Sequence, residues 1–342
     1  MMSTVDWFVM GAALVFVVVF GVWKSRGKKD MEGYILANRS TPWYTITLSI
    51  MATQASAITF LSTPGQAYVD GMRFVQFYLG LPIAMVILCV TAVPHFHRLK
   101  VYTAYEFLEQ RFDVKNRTLG SLLFLTQRGL ACGFTIFAPS LIISVLMGWD
   151  IRLTILVIGA FVTLYTTTGG TDAVNKTHLL QMGIISFGMV AAFVMIFRLL
   201  PPDISFLDAT NVAGKMGNLN VISFDFDLKD RYNVWSGLIG GTFLALSYFG
   251  TDQSQVQRYL SGSSLTQSRL GLLFNGLLKV PMQFIILFIG VMVFVFYQFT
   301  APPMYFKKDI NDAMMSSEQA VEYTALEEAY NDVFQQKREA LY

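Results

Sequence analysis

Apolar runs of about 18 residues or more recur along this chain, and nothing else in it constrains the fold as much. Eight such segments are expected, over residues 5–23, 41–63, 74–93, 118–147, 151–168, 178–200, 235–250 and 272–300. Only helices and closed barrels satisfy their backbone inside lipid, and runs of this length and spacing suit helices. The charge content agrees: 14% of the 342 residues are charged and the mean hydropathy is +0.49, whereas soluble domains carry about 25% charged residues. The expected fold class is therefore an all-α polytopic membrane protein. The net charge of +2 sits in short loops and gives no nucleic-acid footprint. Cys89 and Cys132 lie in apolar runs without metal-ligand spacing and read as small hydrophobes.

Loop charge predicts orientation. Lys24, Arg26, Lys28, Lys29 and Arg39 fill the first loop, and Arg98, Lys100, Arg111, Lys115 and Arg117 the third. Lys176 marks the fifth, and Arg258 and Arg269 the seventh. The intervening loops are poor in base, so the positive-inside rule puts the odd loops in the cytoplasm and the amino terminus outside, in the plasma membrane. In the third loop, YTAYEFLEQRFDVKNRT has the spacing of an interfacial helix. Residues 301–342 carry eight acids and four bases and read as a solvated, helical outer segment beyond a transmembrane domain over 1–300.

Polar clusters at membrane depth mark candidate sites. The run SIMATQASAITFLSTPG, residues 49–65, holds Thr53, Gln54, Ser56, Thr59, Ser62 and Thr63 before Pro64-Gly65. Ala52, Ala55, Thr59 and Thr63 share one side of a helix. They form either a small-residue packing face or, if the helix breaks, a place where freed carbonyls bind a cation. In LALSYFGTDQSQVQR, the apolar run stops at Gly250, Thr251, Asp252 and Gln253 before a full span is complete, which favours a second interrupted helix over a short span. Lys279 lies about two turns inside an apolar run beside Pro281; it either has a buried partner or snorkels to the cytoplasmic face. Arg128, in FLTQRGLACGF, either snorkels or turns its planar fork towards a carboxylate. His95, His97 and His178 are isolated, and no HExxH, GxSxG or nucleophile–base pair supports an enzyme.

Five of these stretches, in order, resemble the sodium:solute symporter family over roughly residues 5–300: MATQASAITFLSTPGQAY, TAYEFLEQRF, LYTTTGGTDAV, YFGTDQSQVQRYLSG and NGLLKVP. The resemblance implies the leucine-transporter fold, two inverted five-helix repeats after one extra helix, with about 8 of about 13 spans present and the chain a fragment. It implies Na+ as co-transported ion, bound by the carbonyls of Ala52 and Ala55 together with hydroxyls from beyond residue 342. A small solute and the lipid bilayer are the remaining partners. The substrate-binding set expected is Gln54, Thr59, Thr63, Gln76, Arg128, Tyr248, Asp252 and Lys279. Where the family's sugar carriers hold Gln, Glu and Asn, this chain has Thr59, Tyr78 and Ala245, which argues against a hexose. The look of TFLSTPGQAY and IFAPSLII is nearer the branch carrying iodide, monocarboxylates, vitamins and sialic acid. His178 stands where some members have an Asp of a second sodium site, which argues for one sodium per cycle. A sensor on the same fold and a sugar symporter are the alternatives.

Overall fold

A computed structural model describes residues 4–25, 31–56, 58–227, 229–305 and 308–340. Among them the chain is helical throughout and forms no strand; Thr41 and Gly262 make a single bridge. Arg26, Lys28 and Lys29 of the first loop lie outside the described residues, as does Ala57.

Helix α1 (Thr4–Ser25) matches the first expected span. The short α2 (Met31–Leu36) leads to α3 (Trp43–Gln54), which stops at Ala55 (φ −83°, ψ 79°) in the middle of the second expected span. The chain resumes as a π-helical turn (Ile58–Ser62) and α4 (Thr63–Asp70). Pro64-Gly65 was expected to end the segment; instead Pro64 sits in the first turn of α4, where a missing N–H costs nothing. A 3₁₀ stretch (Gly71–Tyr78), α5 (Gly80–Val90) and α6 (Ala92–Leu99) form the third expected segment.

The helix expected at the interface forms as α7 (Ala104–Arg111) and is shorter than expected. Asp113 ends it and caps the next helix, accepting from the Asn116 amide at 2.8 Å, so α8 (Val114–Met147) takes the remaining residues. Asp150 caps α9 (Ile151–Leu199), whose helical backbone covers both the fifth and sixth expected spans. The loop expected near Lys176 is thus helical. Its polar side chains are met by protein: Thr171 donates to the Ile35 carbonyl at 2.6 Å, and Gln257 donates to Thr171 at 2.8 Å.

A capping box at Ser205 starts α10 (Phe206–Lys215), in a loop that the sequence marked only as poor in base. A π turn (Ser236–Gly240) and α11 (Gly241–Thr251) follow; the helix breaks at Asp252 (ψ 114°) and resumes as α12 (Gln253–Leu260). This is the second interruption the sequence favoured. Ser264 caps α13 (Leu265–Phe299), which begins seven residues before the apolar run. Beyond it lie α14 (Lys308–Met315) and α15 (Ala320–Glu339).

Helix α13 is the axis of the core. One apolar cluster joins Ile46 and Ile50 of α3, Leu81 to Leu88 of α5, Phe249, Tyr259 and Leu272. A second joins Ala67, Met72, Ala209 and Ala213 to Leu287, Val291 and Phe299. Close approach depends on glycine. A Cβ on Gly290 would fall 2.1 Å from the Pro64 carbonyl oxygen, and one on Gly80 would fall 2.3 Å from the Thr242 nitrogen. These contacts hold α4 on α13 and α5 on α11 at backbone distance. Among the described residues four helical stretches are long and apolar enough to cross a membrane: Ile58–Leu99, Val114–Met147, Val174–Leu199 and Leu265–Phe299. The first, second, fifth and seventh expected segments are not among them; the second and seventh are the two broken helices.

Candidate functional site: a cavity between two broken helices

A cavity of about 310 Å³ lies between the two broken helices, beside the first interruption and along α11 ahead of the second. Gln54 and Thr59 line it from the first broken helix, Phe77, Tyr78 and Leu81 from the 3₁₀ stretch and α5, and Ala245, Tyr248 and Phe249 from α11. Lys279 closes it from α13. The first break is tied locally: Thr59 donates to the Gln54 carbonyl at 3.1 Å, while the Ala55 amide donates to the carbonyls of Met51 and Ala52 at 2.9 and 3.1 Å. Gln255, beyond the second break, donates to the Tyr248 hydroxyl at 2.9 Å and holds that ring at the cavity wall.

Lys279 is 2% exposed. It does not snorkel, because its side chain ends in the cavity rather than at an aqueous face. No carboxylate or carbonyl pairs with it among the described residues, and a cation buried in an apolar bundle without a partner is expensive. An anion arriving in the cavity would meet it.

Four expected site residues, Gln54, Thr59, Tyr248 and Lys279, therefore share one cavity, and four others stand apart from it. Gln76, fully buried, donates to the Tyr232 carbonyl at 2.8 Å and accepts from the Ser223 amide at 3.0 Å, which pins the loop before α11. Thr63 is buried where α4 begins, beside the Pro64–Gly290 contact. Arg128 faces Asp252 at 3.5 Å and donates to Ser254, so its partner carboxylate is supplied by the protein. Asp252 in turn caps α12, accepting from the Ser254 amide at 2.8 Å. Tyr105 donates to the Thr251 carbonyl at 2.7 Å, and Gln253 bridges Ala104 and Tyr102, so α7 and α8 both clasp the second break.

Another polar cluster escaped the sequence reading. Ser49 of α3 donates to Asn175 of α9 at 2.7 Å and lies 3.3 Å from the His178 ring, and Arg258 of α12 donates to the same Asn175 oxygen at 3.2 Å. Residues 126 and 83 positions apart meet there. No local spacing signals such a contact, and His178 had been read as isolated.

Apolar helices, two of them broken beside a cavity that holds a buried, unpartnered lysine, are the construction of a membrane carrier. The family model for the sodium:solute symporter family matches residues 34–326, and the chain belongs to that family. It is a family of transporters, not enzymes, and the chain is accordingly a multi-pass membrane protein. It is 32% identical over 274 residues to sodium-coupled monocarboxylate transporter 1 of Xenopus laevis, covering 79% of this chain and 43% of that protein. It is 30% identical over 297 residues to the human sodium/iodide cotransporter, covering 85% and 45%. It is also 30% identical over 308 residues to the rabbit sodium-dependent multivitamin transporter, covering 86% and 46%. The chain thus spans under half the length of these relatives. A Na+-coupled sialic acid symporter, solved substrate-bound and outward-open, superposes with a TM-score of 0.80 over 99% of this chain and 70% of that one, at 24% identity. The two share a fold.

Proposed function

We propose that the complete protein is a secondary active transporter that couples Na+ entry to uptake of a small organic anion, a carboxylate, by alternating access. The observation that carries the anion is Lys279, buried, unpaired and facing the cavity. A ligand carboxylate would supply the missing charge, and pairing in a low-dielectric site is stronger than in water. The cavity volume of about 310 Å³ lies at the small end of ligand sites, which suits a small solute. Arg128 is spent on Asp252 and leaves this role to Lys279.

Sodium is the coupling ion named for the relatives. In this reading the ion binds at the break after Gln54, with the carbonyls of Ala52 and Ala55 as ligands together with hydroxyls from beyond residue 342. The break adjoins Gln54 and Thr59 of the cavity, so an ion there and a solute beside it would bias the same element. Coupling follows from that shared element. A negative interior adds about 2.3 kcal/mol per charge per 100 mV. In this reading the fold is the leucine-transporter type, the amino terminus lies outside and the membrane is the plasma membrane.

The test is uptake by the complete protein in proteoliposomes under an inward Na+ gradient, with K+ as control. Sodium-driven accumulation of a labelled carboxylate is expected. Lys279→Met should retain the fold while lowering that uptake at least tenfold, about 1.4 kcal/mol. Equal carboxylate uptake by Lys279→Met would remove the anion assignment. Absence of any Na+-driven uptake from folded protein would favour a sensor.

A further inference from the structure

One turn along α13 from Lys279, and on the same face, lies Gln283. It is fully buried, and neither its Nε2 nor its Oε1 has a hydrogen-bond partner among the described residues. The Tyr78 hydroxyl lies beside this amide without closing a hydrogen bond to it, and Tyr78 itself lines the cavity. A fully buried amide with both ends open, behind a phenol on a cavity wall, is incomplete by the rule that buried polar groups are paired. The remaining cavity neighbours at this end, Phe77 and Leu81, offer no polar side-chain atom.

Resting on the anion reading above, we propose that Gln283, acting through Tyr78, is a positioning residue that determines specificity. It selects a monocarboxylate bearing a hydroxyl or amide beyond the carboxylate over the same acid with a plain hydrocarbon chain. The carboxylate sits at Lys279. The second polar group reaches the Tyr78 hydroxyl, which can donate one hydrogen bond and accept others. The Gln283 amide, donor and acceptor in one group, fixes which of these Tyr78 presents. A hydrocarbon chain at the same place leaves both Tyr78 and Gln283 unmet. Sites built to bond a substrate hydroxyl discriminate strongly against analogues lacking it for this reason.

The experiment compares Na+-driven uptake of 4-hydroxybutyrate and butyrate by the complete protein in proteoliposomes, for the unaltered protein, Gln283→Met, Tyr78→Phe and the double variant. The unaltered protein should favour the hydroxy acid at least tenfold in kcat/KM. Each single variant should bring the ratio near one, chiefly through a lower kcat/KM for the hydroxy acid. The double variant should do no more than either alone, the mark of residues acting as a unit. Should Gln283→Met fail to fold, Gln283→Asn, which withdraws the amide by one carbon, should lose the preference too. Butyrate and hydroxybutyrate handled alike by the unaltered protein, or a preference that survives both Gln283 variants, would overturn the proposal and leave carboxylate symport standing. Uptake of neither acid would overturn both readings together.

Discussion

At the residue scale, the molecule assigns its two intramembrane cations differently. Arg128 has a protein carboxylate, Asp252, and Lys279 has none. Arg128 is about one third exposed, so its pair is screened, and losing it should cost only about 1 kcal/mol. Arg128→Gln is therefore expected to lower the melting temperature slightly and leave the half-saturation concentration for a carboxylate unchanged. Asp252→Asn should resemble it in uptake, and the two together should cost less than their sum, because the first change already removes the pair. A tenfold rise in half-saturation with Arg128→Gln alone would show that Arg128 reaches substrate. The residue types Arg and Lys at membrane depth were legible in the sequence; which one was already neutralised was not, since Asp252 lies 124 positions from Arg128.

At the scale of elements, packing rests on backbone approach as much as on apolar area. Gly290 takes the Pro64 carbonyl into the space a Cβ would fill. Gly290→Ala should therefore push α4 from α13 and destabilise the protein by about 1–3 kcal/mol, seen as a lower melting temperature in detergent. Gly188→Ala, on α9 with open space around its Cα, is the control and should change little. The clasp of α7 on the second break has its own signature. Burial, with the nearby Asp252 charge adding to it, pushes the Tyr105 phenol up to about 12 from its ordinary 10.0. The folded state thus prefers the neutral phenol, which also donates to Thr251. Its stabilising contribution is complete below pH 10 and is lost as the pH rises through about 12. A phenolate absorbance titration of Tyr105→Phe should lose one late-titrating component relative to the unaltered protein; a lost component with a midpoint near 10 would contradict the clasp.

On the scale of the whole molecule, the charge pattern makes a claim about sidedness. With an external amino terminus, Lys115 faces the cytoplasm and Ser317 the outside. Single cysteines at Lys115 and Ser317, both exposed positions, in a chain lacking Cys89 and Cys132, should label differently. A membrane-impermeant maleimide added to intact cells should modify Ser317→Cys and spare Lys115→Cys, and the reverse pattern would invert the topology.

Hydropathy alone determined that this chain is a helical membrane protein, because apolar runs of this length have no other stable environment. Its polar interruptions favoured the helix break at Asp252 and left the one at Ala55 open against a small-residue packing face, since hydroxyls and amides in such runs have little use in lipid. The motifs also identified the family. Tertiary structure decided what sequence spacing could not. It made the turn near Lys176 helical, because Ile35, Ser49 and Gln257 satisfy the polar residues there. It spent Gln76 on a loop and Arg128 on Asp252. It left Lys279 without a partner at a cavity, and Gln283 without one a turn further along α13. A polar side chain in a membrane span announces that it needs a partner, but only the fold can show whether the protein supplies one or leaves the place for a ligand.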